Sequence, residues 1–155
     1  MQKYLTAADM VEVASPYGLT PKRLRNWFEA GCVVPVEGGE GTGDHRRFTL
    51  MQAVGIAVAA AAQNSAQGCV RSYVAVVTSA FAAADEAWLK AEFAKGRTHL
   101  VPTRHDGRPV LQAKSYDWVD VGAVYRDVLA KVAEIAARPV NASAAGRRRG
   151  LAASE

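Results

Sequence analysis

The sequence predicts a mainly α protein: a helix pair with a two-stranded wing, then a helical region with one β-hairpin. Three observations predict it. Two capping threonines, Thr6 and Thr20, stand on either side of a Pro16-Tyr17-Gly18 stop, so two short helices meet through a tight turn. A β-type run, Val33 to Val36, opens into a loop holding Gly38, Gly39, Gly41 and Gly43, and the chain returns through His45 to Phe48. Beyond it, apolar residues recur at steps of three and four in two stretches, separated by the turn pair Asp106-Gly107. In sum, an N-terminal winged helix-turn-helix is followed by a helical region with one β-hairpin.

Taken in order, Thr6 caps a first helix, with Asp9 near the positive end of its dipole. Ala7, Met10, Val11 and Ala14 lie on one face of it. The second helix begins with Thr20 as cap and Pro21 at the first helical position, where a missing N–H costs nothing, and ends at Gly31. Thr49 caps a third helix over Leu50 to Gln63. Gln63 to Gly68 is a polar interruption. Val70, Val74, Val77, Phe81, Ala84 and Trp88 then mark one longer helix reaching about Lys95, closed by Gly96. Two short strands flank Asp106-Gly107. Asp120 caps a last helix with Val121, Val124, Val128, Leu129, Val132 and Ile135 on one stripe. The expected organisation is a winged DNA-binding domain over 1–62 and a helical dimerisation or effector region over 63–138, with its hairpin at 98–113. A disordered basic tail over 139–155 carries Arg147, Arg148 and Arg149.

The second helix carries the functional signal. In "TPKRLRNWFEAG", Lys22, Arg23 and Arg25 crowd one turn, and two large rings follow. Leu24, Trp27 and Phe28 fall at i, i+3 and i+4, an apolar face that can bury against Met10, Val13 and the wing. Lys22, Arg23 and Asn26 project elsewhere, at the end that approaches base edges in a recognition helix. Arginine can bond guanine with two donors, and asparagine can do the same for adenine. Arg23 and Asn26 are therefore the expected base readers, while Arg25, Arg46 and Arg47 suit phosphate. The competing explanation is a solvated basic turn; the turn-and-cap pattern and the second cationic pair on the wing weigh against it.

The stretch from Leu5 to Val54 resembles the DNA-binding domain of the MerR family. Leu24, Arg25, Trp27 and Gly31 match the spacing of that family's second helix. His45, Arg46, Arg47 and Phe48, followed by Thr49, occupy the place of its Tyr-Arg-x-Tyr-like wing element. The match departs at Asn26, where an aromatic is usual, at His45, which replaces a tyrosine, and at Phe28, where a glutamate is usual; Glu29 stands one position later. The wing tip is acidic, with Glu37, Glu40 and Asp44. "LRNWFEAG" also looks like the related excisionase-type winged helices. The resemblance implies a transcription regulator that binds an inverted repeat in double-stranded DNA as a homodimer, with RNA polymerase as a candidate partner. It implies Thr20, Lys22, Arg23, Arg25, Asn26, His45, Arg46 and Arg47 as the DNA-binding residues. A phage-type accessory DNA-binding protein, an excisionase or a packaging factor with no transcriptional role, is the alternative.

Composition bounds the other classes. A formal net charge of +4 permits an acidic partner without demanding one. The polar N-terminus predicts no signal peptide. The longest apolar run, "LMQAVGIAVAAAA", falls short of the ~20 residues a membrane span needs. A soluble, cytoplasmic protein is expected. Cys32 and Cys69 read as small buried residues, and His45, His99 and His105 do not pair with them at zinc-ligand spacing, so neither metal nor cofactor is expected. His99, His105 and Asp106 lie close together on the hairpin, but no nucleophile or phosphate loop accompanies them, so no enzyme is expected. Trp88, Phe93, Tyr116 and Trp118 read as core rather than as an effector pocket. For the dimer, the valine stripe of the last helix is the favoured interface, edged by Arg126, Asp127, Lys131 and Glu134, and Val70 to Trp88 is the second candidate.

Overall fold

Caps and glycines set the element ends. Thr6 accepts from the Asp9 backbone N–H while Asp9 accepts from Thr6 N at 2.8 Å, a reciprocal capping box that starts α1, Ala7–Ala14. A single 3-10 turn, Ser15–Tyr17, follows and ends on Gly18 at φ 86°, which favours glycine. Thr20 then caps α2, Pro21–Glu29. Thr49 and Gln52 repeat the capping-box logic for α3, Leu50–Asn64. The order continues with α4 (Arg71–Ala83), α5 (Glu86–Ala94), β1 (His99–His105), β2 (Arg108–Gln112) and α6 (Val121–Ala136), the last capped by Asp120. This computed structural model describes residues 4–38, 46–64, 71–105, 108–113 and 119–139, with the backbone alone for 71–73, 101–105 and 108–110. The protein is mainly helical, with one two-stranded antiparallel sheet in which Leu100 pairs with Leu111. Among the described residues no helix is long and apolar enough to cross a membrane.

The core is built around α3. Every residue from Met51 to Ala60 is buried, as expected of a helix that is apolar on all sides and has neighbours on all sides. α1, α4 and α6 pack against it. The closest approach is at Gly55, where an added Cβ would sit 2.6 Å from the Cβ of Phe81 and 3.6 Å from Cα of Thr78. Small residues on α3 let α4 come this near. Leu5, whose backbone bonds Phe48 in both directions, and Val121, Val124 and Val128 belong to the same apolar cluster, so one core runs from the first turn to the last helix. The boundary expected after residue 62 falls inside the last turn of α3.

Two expectations are corrected here. The long helix expected from Val70 to Lys95 is two helices. Asp85 accepts from Trp88 N at 2.6 Å and starts α5 anew, and a side chain able to cap competes with helix continuation. Val74, Val77, Phe81 and Ala84 are nevertheless buried, and Gly96 ends α5 at φ 75°. The second correction concerns the dimer stripes. Val121, Val124, Val128 and Ile135 are buried within the chain, with Leu129 and Val132 partly buried beside them. α6 faces α1 and α3 rather than a second copy, and the α4 stripe is used against α3. An apolar stripe satisfies the same driving force in either place, and here its own chain covers it.

Polar ties close the outside of this core. Arg138 holds Glu12 of α1 with both guanidinium arms, one at 2.9 Å, and Lys131 Nζ lies 4.0 Å away. These bonds, and the charges of both residues, hold the Glu12 carboxyl below its ordinary value. Tyr17, in the turn after α1, donates its hydroxyl to Asp127 of α6. Tyr125 of α6 donates to Glu86 of α5. Burial, and then the bond to Glu86, push Tyr125 up to about 12, while the same bond and Lys90 hold Glu86 below the carboxylate range. The two shifts act at opposite ends of the pH scale. Tyr125 contributes stability that is complete below the free tyrosine value near 10 and is lost as pH rises through about 12. Glu86 contributes stability that is present above the free carboxylate value and is lost as pH falls. Tyr125→Phe should be less stable at neutral pH and lose less stability than the parent between pH ~10 and ~12, measured by urea midpoints across that range. Parallel alkaline curves for the two proteins would show that the pair does not link α5 to α6.

Candidate nucleic-acid interface

α2 buries Leu24 and Trp27. Its opposite side carries Lys22, Arg25, Asn26 and Glu29, all exposed. The 3.6-residue repeat puts Lys22 and Asn26 one turn apart, with Arg25 beside them toward Phe28. Phe28 is only partly buried. Its ring stacks on Phe48 at 5.6 Å between centroids and 24° between planes. The Arg46 guanidinium lies over the same ring, 4.4 Å from its centroid. That stack, with its cation–π contact, places Arg46 next to the Arg25 edge of α2.

Arg46 arrives there on an extended arm. Val36 N donates to Arg47 O at 2.9 Å and Arg47 N donates to Glu37 O at 3.0 Å, so the outgoing and returning segments pair antiparallel. Gln52 of α3 braces the outgoing segment by donating to Val34 O at 2.6 Å, and Thr78 of α4 donates to Cys32 O. Val34 and Val36 are 69% and 48% exposed, the large apolar residues most open to solvent among those described. His45 and the expected acidic tip, Glu40 and Asp44, lie outside the described residues.

The charges on this face differ from those elsewhere. In the second half, Lys90 bonds Glu86 at 3.0 Å, Lys95 and Arg97 share Glu92, and Lys131 meets Glu134 at 2.8 Å. Arg138 is held by Glu12 and Glu134. Lys22, Arg25 and Arg46 have no carboxylate within 4 Å among the described residues. Arg126, exposed on α6, is likewise without one. No acidic residue occupies the first turn of α2, so Lys22 and Arg23 add to the positive end of the helix dipole instead of offsetting it. That arrangement disfavours the isolated helix and favours an anion in front of it. Glu29, at the other end of the same strip, is the one acid on it.

The expected site residues divide by position. Lys22, Arg25 and Asn26 share the exposed strip, and Arg46 joins its edge. Thr20 is exposed, but its hydroxyl oxygen accepts from Arg23 N at 3.1 Å as the cap. Arg47 is partly buried in the arm's pairing, with Nη1 toward Arg46 O. Arg23 sits on the other flank, turned back toward the body: Nη1 donates to Gly18 O and to Asn64 Oδ1, each at 3.2 Å. Sequence reasoning missed Asn64, which lay at the start of a polar interruption with no motif around it. On the hairpin, His99 is buried with Nδ1 2.8 Å from Thr98 Oγ1, and Asp106 lies outside the described residues. No group of three or more His, Cys, Asp or Glu able to hold a metal occurs among the described residues. No protein-family model, curated protein or solved structure matches the chain.

Proposed function

We propose that this chain is a sequence-specific double-stranded DNA-binding protein of the winged helix-turn-helix kind, acting as a transcription regulator of MerR-like type. α2 would lie in the major groove, and the arm through Arg46 and Arg47 would follow the adjacent backbone. One observation carries the reading: Lys22 and Arg25 stand exposed on one face with the half-exposed Arg46 at its edge, none with an acid partner among the described residues, while most described cations elsewhere are ion-paired. Asn26, in the middle of that face, is the candidate for adenine. Two copies on an inverted repeat suit the ~4–10 kcal/mol by which specific sites exceed non-specific ones. They would meet through a surface other than the buried stripes of α4 and α6.

The test is the salt dependence of binding to duplexes that the protein enriches from a random pool. Lys22→Ala, Arg25→Ala and Arg46→Ala should each lower the slope of log affinity against log salt by about one. Asn26→Ala should instead leave the slope unchanged and relax preference at one position. An unaltered slope in all three cation variants would sink the proposed face.

A further inference from the structure

We infer that Arg23 and Asn64 form a latch that sets the pose of α2, so that the end of α3 controls DNA binding from outside the contact face; this rests on the DNA-binding reading above. The latch is a closed set of bonds around the turn. Asn64 Nδ2 donates to Tyr17 O at 2.6 Å. Its Oδ1 accepts from Arg23 Nη1, which also donates to Gly18 O. Two successive carbonyls of the turn are thus held by one side chain from α3 and one from α2. The amide's orientation is fixed by chemistry: reversed, it would set N–H against the arginine's N–H groups and oxygen against the Tyr17 oxygen.

The turn is shaped for this contact. A Cβ on Gly18 would lie 1.9 Å from Asn64 Nδ2, so the amide occupies the space that any larger residue would fill. The positive φ of Gly18 makes a second, independent demand for glycine at the same position. On its other side the turn is held by the Tyr17 hydroxyl on Asp127. The two donors of Arg23 Nη1 are both used inside the protein, which ties the side chain to the turn and leaves only its Nε–Nη2 edge to face outward. Arg23 is a positioning residue, and base reading falls to Asn26 and its neighbours on the strip.

The experiment has two arms on the full chain. In the free protein, hydrogen exchange is followed at Gly18 and Leu19, whose amides bond Ser15 O and Ala14 O across the turn. Asn64→Leu, which removes both bonds of the amide without changing charge, should speed exchange there by at least roughly threefold to tenfold, the range of one neutral hydrogen bond, because a bond to the charged guanidinium is lost with it. Arg23→Met should do the same, and the double variant should fall short of the product of the two singles, because the bond between the two side chains is already lost in either one. In the second arm, Asn64→Leu should weaken binding to the enriched duplexes by a similar factor with no change in salt slope. Unchanged exchange in Asn64→Leu overturns the latch. Faster exchange with full affinity overturns its control of α2. A greater loss of sequence preference in Arg23→Met than in Asn64→Leu returns Arg23 to base reading. If the parent protein enriches no duplex, the DNA reading fails and takes the latch's control of binding with it; the exchange arm still decides whether the latch holds the turn.

Discussion

Phe81→Ala should lower the stability of the protein by ~3–5 kcal/mol, a large share of the ~5–15 kcal/mol that holds a domain of this kind. Phe81 is fully buried between α4 and the centre of α3. The variant isolates one contribution. The tight contact with Gly55 is made by the Cβ of residue 81, which alanine keeps, so the spacing of the helices is preserved and only the ring is removed. Gly55, the residue that faces it on α3, has no side chain to swing into the hole, which puts the expected cost in the upper range for a phenylalanine. Urea unfolding checks it. A cost below ~1 kcal/mol would mean that α4 does not seat this ring in the core.

Trp27→Ala is the second large effect, again ~3–5 kcal/mol. Trp27 is 3% exposed and lies on the face of α2 opposite Lys22, Arg25 and Asn26. Its carbonyl accepts from Cys32 N at 2.8 Å, so the backbone of the residue whose ring seats α2 in the core also ties down the start of the arm. Stability and DNA binding should therefore fall together, with Trp27→Phe retaining more of each. A Trp27→Ala variant that unfolds like the parent but no longer binds would place the ring at the DNA surface. The neighbouring ring behaves differently: Phe28 is the partly buried platform under Arg46, and its loss acts on the arm before it acts on the core.

Local grammar was legible in the sequence, and direction was not. Thr6, Thr20, Thr49 and Asp120 announce helix starts because a side-chain oxygen followed by an apolar period has few other uses. Gly18 and Gly96 announce ends because the left-handed conformation suits glycine. Asp85 escaped notice because the apolar spacing runs through the break without losing phase, from Val74 and Phe81 through Ala84 to Trp88. The α6 stripe was legible as a stripe, but nothing in its composition says whether its own α1 and α3 or another copy will cover it. Arg23 was placed correctly on the first turn of α2. Where its guanidinium points is decided by Asn64, 41 positions away, and no spacing rule reaches that far.

The notch at Gly55 has a mechanical consequence. Two helices in ordinary contact can shear past each other, because long side chains change rotamer to absorb small displacements. Here Cβ of Phe81 and Cα of Thr78 rest against the backbone of α3, and no flexible side chain lies between. Sliding α4 by one helical rise, about 1.5 Å, would drive a neighbouring Cβ into that backbone. The contact therefore resists sliding of α4 along α3 and makes the pair a spar through the middle of the molecule. Whatever adjustment the protein makes on meeting a partner falls to the parts hung from the ends of that spar: α2 at its Asn64 end, and the arm at its Gln52 end.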